Sequence, residues 1–129
     1  MTPPAIVVVA AVVERDGTFL LTRRPRGTHL EGCWEFPGGK CRRDEALDEG
    51  LRREIREELD AEIVDPREIF STSHAYPDRT IELHFFRCAL GGHIRPVLGQ
   101  EVRWVPRADL GRLEVPPADA EFIAAFLLS

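Results

Sequence analysis

Residues 39–58 read GKCRRDEALDEGLRREIREE, and this stretch decides the fold and the chemistry of the chain. Glu54, Glu57 and Glu58 stand at positions i, i+3 and i+4, so a helix places their carboxylates on one face. Carboxylates this close repel each other, and a hard cation such as Mg²⁺ or Mn²⁺ relieves the repulsion through its preference for oxygen ligands. The alternative is a solvated helix that is merely rich in Glu and Arg.

A glycine turn leads into this helix. The residues Phe36-Pro37-Gly38-Gly39 predict a turn that brings bare backbone close to whatever the helix holds. Together, the turn and the three carboxylates suit a metal-assisted attack on a phosphate.

The spacing in the stretch is more specific than its composition. Five residues separate Gly39 from Glu45, and seven more separate Glu45 from the run Arg53-Glu54-Ile55-Arg56-Glu57-Glu58. This order resembles the signature of the Nudix hydrolases, G-x5-E-x7-R-E-U-x-E-E-x-G-U, where U is aliphatic. The chain departs at the end, with Asp60 and Ala61 for the glycine and the aliphatic residue. Since Asp tolerates the left-handed conformation usual after a helix, we expect the departure to affect stability and loop shape more than chemistry.

Composition limits the class of protein. A chain of 129 residues with 43% hydrophobic content predicts one globular domain over residues 1–129. The net charge of -5 argues against a partner that is a nucleic-acid polymer, whereas a nucleotide remains compatible because metal ions neutralise its phosphates. Cys33, Cys41 and Cys88 read as reduced thiols of a cytoplasmic protein. The apolar run 5–13 is too short to span a bilayer, so we expect no membrane association.

Apolar periodicity predicts a single α/β domain with a mixed sheet between helices, which agrees with the α/β/α sandwich that the resemblance implies. We predict a helix over residues 45–59, with Asp44 as N-cap and an apolar stripe of Leu47, Leu51, Ile55 and Leu59. A terminal helix is predicted over 118–128. Strands are predicted over 6–13, 19–23, 34–36, 62–73, 80–90 and 101–105.

The resemblance implies roles for the residues of the signature. It makes Glu54, Glu57 and Glu58 ligands of Mg²⁺ or Mn²⁺, directly or through water, together with the backbone carbonyl of Gly39. It also implies a pair between Glu45 and Arg53 that orients these catalytic carboxylates. The general base stays open between Glu54 itself and Glu101, because Leu98 stands where MutT-like relatives often carry another glutamate. Glu101 is also a candidate ligand of the metal, the alternative being an ordinary surface residue of a strand.

The similarity to MutT-like enzymes of the nucleotide pool extends over nearly the whole chain, and it implies that Arg24, His29, Phe36 and Arg79 surround the nucleotide. Asp119 matches an Asn that hydrogen-bonds the purine. An ionised Asp only accepts hydrogen bonds, which fits guanine N1 and N2 or cytosine N4 and leaves the base open. A residue that only favours the start of a helix is the alternative.

The resulting hypothesis is an Mg²⁺-dependent nucleoside triphosphate pyrophosphohydrolase that releases a nucleoside monophosphate and pyrophosphate. Its expected substrates are oxidised or modified nucleotides, either 8-oxo-dGTP or CTP-like. Two alternatives are a non-catalytic module that senses a nucleotide or ADP-ribose, and a Nudix enzyme for another nucleoside diphosphate derivative. The sequence leaves open whether the chain is a monomer or a homodimer.

Overall fold

The computed structural model describes residues 5–127, which form two sheets, two α-helices and a 3₁₀ helix over Arg107–Arg112. The first sheet has the strand order β5-β1-β7-β6, and the second joins β2, β3 and β4, with β8 paired to β3. The strands are β1 (Ala5–Val12), β2 (Glu14–Arg15), β3 (Thr18–Arg23), β4 (Trp34–Glu35), β5 (Gly38–Lys40), β6 (Glu62–Tyr76), β7 (Arg79–Gly91) and β8 (Val102–Pro106). The α-helices are α1 (Leu47–Leu59) and α2 (Pro117–Phe122). The chain continues from α2 as a π-helical turn over Ile123–Leu127.

The first sheet is mixed, as predicted, because β1 runs parallel to β7 while β5 and β6 run antiparallel to their neighbours. Successive side chains of β1 point to opposite faces. Val9 and Ala11 pack on the side of α1, whereas Ala10 and Val12 pack on the side of α2. The predicted arrangement of a sheet between helices is therefore confirmed, and the second sheet adds to it.

The apolar stripe of α1 anchors this helix to the sheet. Leu51, Ile55 and Leu59 are completely buried, and Leu47 is partly buried against the same cluster. Burying an aliphatic side chain of this size stabilises the fold by about 1.5–3 kcal/mol. The stripe points inward, so the glutamates between its members lie on the rest of the helix surface.

The predicted start of α1 is wrong. The N-cap is Ala46, not Asp44, and the Glu49 carboxylate accepts a hydrogen bond from the Ala46 N–H at 3.0 Å. Glu45 lies in the preceding turn, where its Oε1 accepts a hydrogen bond from the Arg42 N–H at 2.8 Å. Local side-chain bonds to the backbone have thus displaced the start of the helix by two residues.

The end of α1 agrees with the sequence analysis. Asp60 adopts the left-handed conformation, with φ 53° and ψ 37°, and its N–H donates to the Arg56 carbonyl. Its carboxylate forms an exposed ion pair with Arg95 at 3.1 Å.

Other predicted boundaries also differ from the structure. The bounds of β1, β3, β4 and β7 each differ by one residue at one end or both. β6 extends three residues beyond the predicted range, and its pairing with β7 is interrupted around Pro66, which cannot donate to the ladder, and Asp65, whose φ is 50°. β8 is displaced by one residue. Regular α-helix in the terminal segment ends at Phe122, and residue 128 of the predicted helix lies outside the described residues.

All three cysteines are free thiols, as predicted. No helix among residues 5–127 is long and apolar enough to cross a membrane.

Candidate active site

The glycine turn brings the strand β5 directly beneath α1. Gly38 and Gly39 pair with Ala10 and Val9 of β1. A Cβ atom on Gly38 would overlap the carbonyl of Val9, and one on Gly39 would overlap the carboxylate of Glu54. Only glycine therefore allows the Glu54 carboxylate to approach the strand this closely.

Arg53 organises the carboxylates of α1. It makes a two-pronged contact with Glu45, from Nε to Oε2 at 2.7 Å and from Nη2 to Oε1 at 2.9 Å. Its Nη1 donates to Glu54 at 2.9 Å and to Glu57 at 3.2 Å, and Nη2 donates to the Lys40 carbonyl at 2.9 Å. The bonds from Arg53 lower the pKa of Glu45 to about 2. The predicted contact between Glu45 and Arg53 is thus present, and it also ties the helix to β5.

Glu58, like Glu54, is partly buried, whereas Glu57 is exposed. Its Oε2 accepts a hydrogen bond from the Gly38 N–H at 3.2 Å. The pKa of Glu58 is raised to about 7, chiefly by burial and also by the nearby carboxylates of Glu35 and Glu54. Negative charge is therefore costly at Glu58 unless a cation accompanies it.

The donor set has the chemistry that a hard divalent cation requires, since it consists of carboxylates crowded against a backbone turn. Glu54 and Glu58 both lie against the Gly38–Gly39 turn, and Glu57 points outward with its side chain 54% exposed and held by Arg53. Within residues 5–127, no three His, Cys, Asp or Glu side chains already converge as a metal cage. Binding a cation would therefore require the carboxylates to turn toward one another, and a divalent charge would relieve the repulsion at Glu58.

A cavity of about 300 Å³ lies on the α2 side of the sheet, next to a smaller one of about 170 Å³. Both are lined by Arg24, Glu35, Lys40 and Asp119, and the smaller cavity also reaches Gly38 and Gly39. The space thus runs from the α2 side to the turn beneath α1. The larger cavity further contains His29, Leu30, His74, Tyr76, Arg79, Ile81, Pro116 and Pro117.

Asp119 is the buried acid of this cavity, with only 5% of its surface exposed. Its Oδ2 accepts a hydrogen bond from the Phe36 N–H at 3.1 Å, across 83 residues of sequence. Burial raises the pKa of Asp119 to about 7. The Phe36 ring packs edge-on against Phe85 and Phe122, so an aromatic cluster fixes the backbone to which Asp119 is bonded.

Glu35 is a residue of the site to which the sequence analysis assigned no role. Arg24 donates from Nη1 to both oxygens of Glu35, at 3.2 and 3.3 Å, and from Nε to the His29 carbonyl at 2.6 Å. Burial raises the pKa of Glu35 although Arg24 opposes this effect. A charged residue between the apolar Trp34 and Phe36 was the available signal, because such a residue in a short buried strand needs a partner.

The residues that were predicted to surround the nucleotide lie close together, whereas Glu101 lies apart from them. The cavities bring together Arg24, His29, Phe36, Arg79 and Asp119. The Glu101 side chain instead forms an exposed ion pair with Arg23 at 3.1 Å. Its metal-binding role remains a prediction without a supporting contact among the described residues. Leu98, which stands where MutT-like relatives often carry another glutamate, has 74% of its surface exposed.

A row of glutamates at a glycine turn and an adjoining polar cavity fit an enzyme that hydrolyses phosphates with the help of a divalent metal. Residues 8–125 match the NUDIX domain family, and the chain therefore belongs to the Nudix hydrolases.

Its similarity to individual relatives extends over nearly the full length. The chain is 35% identical to the CTP pyrophosphohydrolase of Escherichia coli K12 over 123 residues, which cover 95% of this chain and 91% of the relative. It is 34% identical to the putative 8-oxo-dGTP diphosphatase 2 of Mycobacterium tuberculosis H37Rv, covering 92% and 85%. The solution structure of the E. coli ORF135 protein superposes with a TM-score of 0.87 at 34% identity, covering 98% of this chain and 91% of that one.

Proposed function

We propose that this Nudix hydrolase cleaves nucleoside triphosphates to a nucleoside monophosphate and pyrophosphate, and that it acts on modified or cytosine nucleotides. The observation that carries the proposal is a continuous space that joins the polar cavity at Asp119 to the glycine turn under α1. A nucleotide that placed its base near Asp119 would direct its phosphates toward Gly38 and Gly39. Relatives named as a CTP pyrophosphohydrolase and as 8-oxo-dGTP diphosphatases support this choice of substrates.

The cofactor of the proposed reaction is Mg²⁺, with Mn²⁺ as a substitute, held by Glu54, Glu57, Glu58 and the Gly39 carbonyl. When bound, such a cation neutralises phosphate charge and activates a water molecule for attack. Arg53 holds Glu54 and Glu57 on one side of the helix, because it donates a hydrogen bond to each of them. Glu45 fixes Arg53 in turn through its two-pronged contact.

The proton acceptor for the attacking water is proposed to be Glu54. Its carboxylate lies against Gly39, next to the space through which the phosphates would pass, and Arg53 holds one of its oxygens. Glu101 is the less favoured candidate, since its side chain is bound to Arg23 and both of these side chains are about half exposed.

Base recognition is proposed to depend on Asp119 and the backbone of Phe36. Burial raises the pKa of Asp119 to about 7, so both forms are populated near pH 7, and the neutral carboxyl group donates one hydrogen bond and accepts others. Such a group can match the edge of an oxidised guanine or that of a cytosine. Arg24 and Arg79 line the same cavity and carry the charge that phosphate and sugar oxygens attract.

We propose that the whole chain works as one domain in the cytoplasm, as a monomer or a homodimer, on small nucleotides and not on a nucleic-acid polymer. The net charge of -5 disfavours a polymeric phosphate backbone.

The test is a screen of normal and modified nucleoside triphosphates in the presence of Mg²⁺, with pyrophosphate and inorganic phosphate measured separately. The proposal expects pyrophosphate and nucleoside monophosphate in equal amounts, and no activity in a chelator. Release of inorganic phosphate from the same substrates would instead indicate attack on the terminal phosphate. Binding of a nucleotide without turnover would favour a sensing module.

A further inference from the structure

His74 lies on the β6 wall of the cavity of about 300 Å³ that also contains Asp119. It follows Phe70 and Thr72 at alternate positions of β6, and alternate side chains of a strand point to the same face of the sheet. Phe70 packs on the α2 side, so His74 points to that side as well. Its side chain is 34% exposed, which leaves it open to a ligand in the cavity.

A carboxylate of α2 holds the His74 ring. Glu121 accepts hydrogen bonds from the Thr72 hydroxyl, at 2.9 Å to each oxygen, and its Oε2 lies 3.2 Å from His74 Nε2. Since a carboxylate oxygen is an acceptor, Nε2 carries the hydrogen of this bond, and the other nitrogen of the neutral ring, Nδ1, is then an acceptor. Nδ1 forms no hydrogen bond with any residue in the range 5–127, so this acceptor is available to a ligand.

The surroundings of His74 fit a nucleobase better than a sugar or a phosphate. In the sheet, His74 lies opposite Ile81 of β7, and Ile81 in turn lies opposite Ile6 of β1. All three line the cavity, together with Val8 and Leu83. Aliphatic side chains bury the apolar face of a ring, whereas the oxygens of a ribose or a phosphate would stay unpaired against them. A base whose face lay on these side chains would present its edge to His74.

We propose that His74 is a specificity-determining residue whose Nδ1 accepts a hydrogen bond from an N–H group of the nucleobase. The inference rests on the proposed function, in which the base lies near Asp119 in the same cavity. An 8-oxopurine has a hydrogen on N7, where guanine has a bare acceptor, and cytosine has the N4 amino group, where uracil has an oxygen. His74 therefore favours an oxidised guanine over guanine, or cytosine over uracil.

The first measurement is binding of nucleoside monophosphates by calorimetry in a buffer without divalent metal, which reads the cavity independently of turnover. The probes are two pairs, 8-oxo-dGMP with dGMP and CMP with UMP. Wild type is expected to prefer the first member of at least one pair, because only that member offers the N–H group. The pair that shows the preference identifies the donor, and an absence of preference in both pairs overturns the proposal.

Two variants separate the nitrogens of His74. The amide nitrogen of glutamine is two bonds from Cγ, as Nε2 is, so His74→Gln can still donate to Glu121 but loses the acceptor at Nδ1. The amide oxygen of asparagine is one bond from Cγ, as Nδ1 is, so His74→Asn keeps that acceptor. We expect His74→Gln to reduce the ratio of the two Kd values about three- to tenfold, the range of one hydrogen bond between neutral groups. His74→Asn should keep the ratio within twofold.

The matched control is His93→Gln, the same change at an exposed histidine that does not line the nucleotide space. It should leave both Kd values within twofold of wild type. An unchanged ratio in His74→Gln, or the same fall of the ratio in His74→Gln and His74→Asn, shows that Nδ1 does not read the base.

The second measurement is kcat/KM for the triphosphates of the pair that shows the preference. In His74→Gln the value for the preferred triphosphate should fall about three- to tenfold, while that for the other stays within twofold. Equal losses for the two nucleotides overturn the role of His74 even if wild type releases pyrophosphate. If wild type releases none from any triphosphate, the proposed function fails, and the Kd values of the monophosphates alone decide whether His74 reads the base.

Discussion

The glutamates of α1 and the cavity beneath α2 lie on opposite sides of the same sheet and are assembled in different ways. On the α1 side, Arg53 reaches partners no more than 13 residues away in sequence. On the α2 side, the bond between Phe36 and Asp119 spans 83 residues. The first region is therefore encoded in one short stretch, whereas the second exists only after the chain has folded.

The acids of the two regions also differ in how their negative charge is compensated. Arg53 compensates the carboxylates around it, and the pKa of Glu45 falls to about 2. Glu58 of α1 and Asp119 of the cavity form no ion pair among residues 5–127, and the pKa of each is raised to about 7, chiefly by burial. Arg53 thus compensates only part of the α1 side, while Glu58 and Asp119 need a cation or a base to offset their burial.

The largest expected effect is on kcat, and it comes from removing the carboxylate charge of Glu57 on α1. Glu57→Gln should lower kcat by about a hundredfold or more at saturating Mg²⁺, since it removes a proposed metal ligand while retaining the shape of the side chain. The fold should be little affected, because the Glu57 side chain is half exposed and Gln can still accept from Arg53. The measurement is steady-state kinetics of pyrophosphate release.

Glu62→Gln is the matched control for this variant. Glu62 is an exposed carboxylate that follows α1 and pairs with Arg56 at 2.7 Å, so its loss removes the same charge away from the glycine turn. It should leave kcat within twofold. If Glu57→Gln also stays within about threefold of wild type, Glu57 does not belong to the ligand set.

On the other side of the sheet, Asp119→Ala should reduce kcat/KM for the preferred nucleotide about ten- to a hundredfold and do less to a poor substrate. The physical reason is that the nucleobase of the preferred substrate would lose its hydrogen-bond partner, Asp119, in a buried site. The measurement is kcat/KM for 8-oxo-dGTP, dGTP, CTP and 5-methyl-dCTP.

Asp119→Asn separates this effect from a structural one. Its amide oxygen can still accept the hydrogen bond from the Phe36 N–H, and its amide group adds a permanent donor that shifts preference among the four nucleotides. Equal losses for every nucleotide in both variants would show that Asp119 serves only the start of α2.

The contrast between the regions explains what the sequence could predict. The α1 site follows from spacing, because i, i+3 and i+4 positions share a helix face whatever surrounds them. The apolar stripe ending at Leu59 and the left-handed Asp60 were predicted for the same local reasons. The start of α1 was predicted wrongly, because the Glu49 carboxylate accepts a hydrogen bond from a backbone N–H at the start of the helix. A cap at Asp44 would also satisfy a backbone donor, so the sequence does not decide between the two.

The cavity beneath α2 was predicted only in part and through the family resemblance. Its residues come from segments brought together by β7 and α2, and no local pattern marks their approach. Glu35 is the instructive omission, since its pairing with Arg24 depends on the antiparallel pairing of β3 with β4, in which Thr22 lies opposite Glu35. The division of the strands into two sheets likewise depends on long-range pairing between β3 and β8.

The raised pKa of Asp119 predicts a pH-dependent stability. A carboxyl group whose pKa is raised on folding holds its proton in the folded protein after the unfolded chain has released it, so this group stabilises the fold less as pH rises through about 7. Asp119→Asn abolishes the titration. The variant should therefore gain stability over wild type between pH 5 and pH 8, by about 1–3 kcal/mol.

The check is chemical denaturation of both proteins at several pH values. Asp109→Asn is the control, because Asp109 lies outside the cavity in a loose pair with Arg112 at 3.6 Å. That control should show no growing difference from wild type. A constant difference between Asp119→Asn and wild type from pH 5 to pH 8 would mean that Asp119 is ionised throughout.

The smallest expected effect lies at the end of α1, where the chain departs from the family signature. Asp60 is left-handed, with φ 53°, and glycine adopts this conformation without strain, so Asp60→Gly should stabilise the fold by about 0.5–1 kcal/mol. The exposed ion pair with Arg95 reduces the gain, although surface pairs of this kind contribute little. Activity should stay within twofold, because the side chain points to solvent and not to the glycine turn. Arg95→Gln is the control that removes the ion pair alone. A lower melting temperature for Asp60→Gly, matched by Arg95→Gln, would show that the pair with Arg95 outweighs the backbone strain at residue 60.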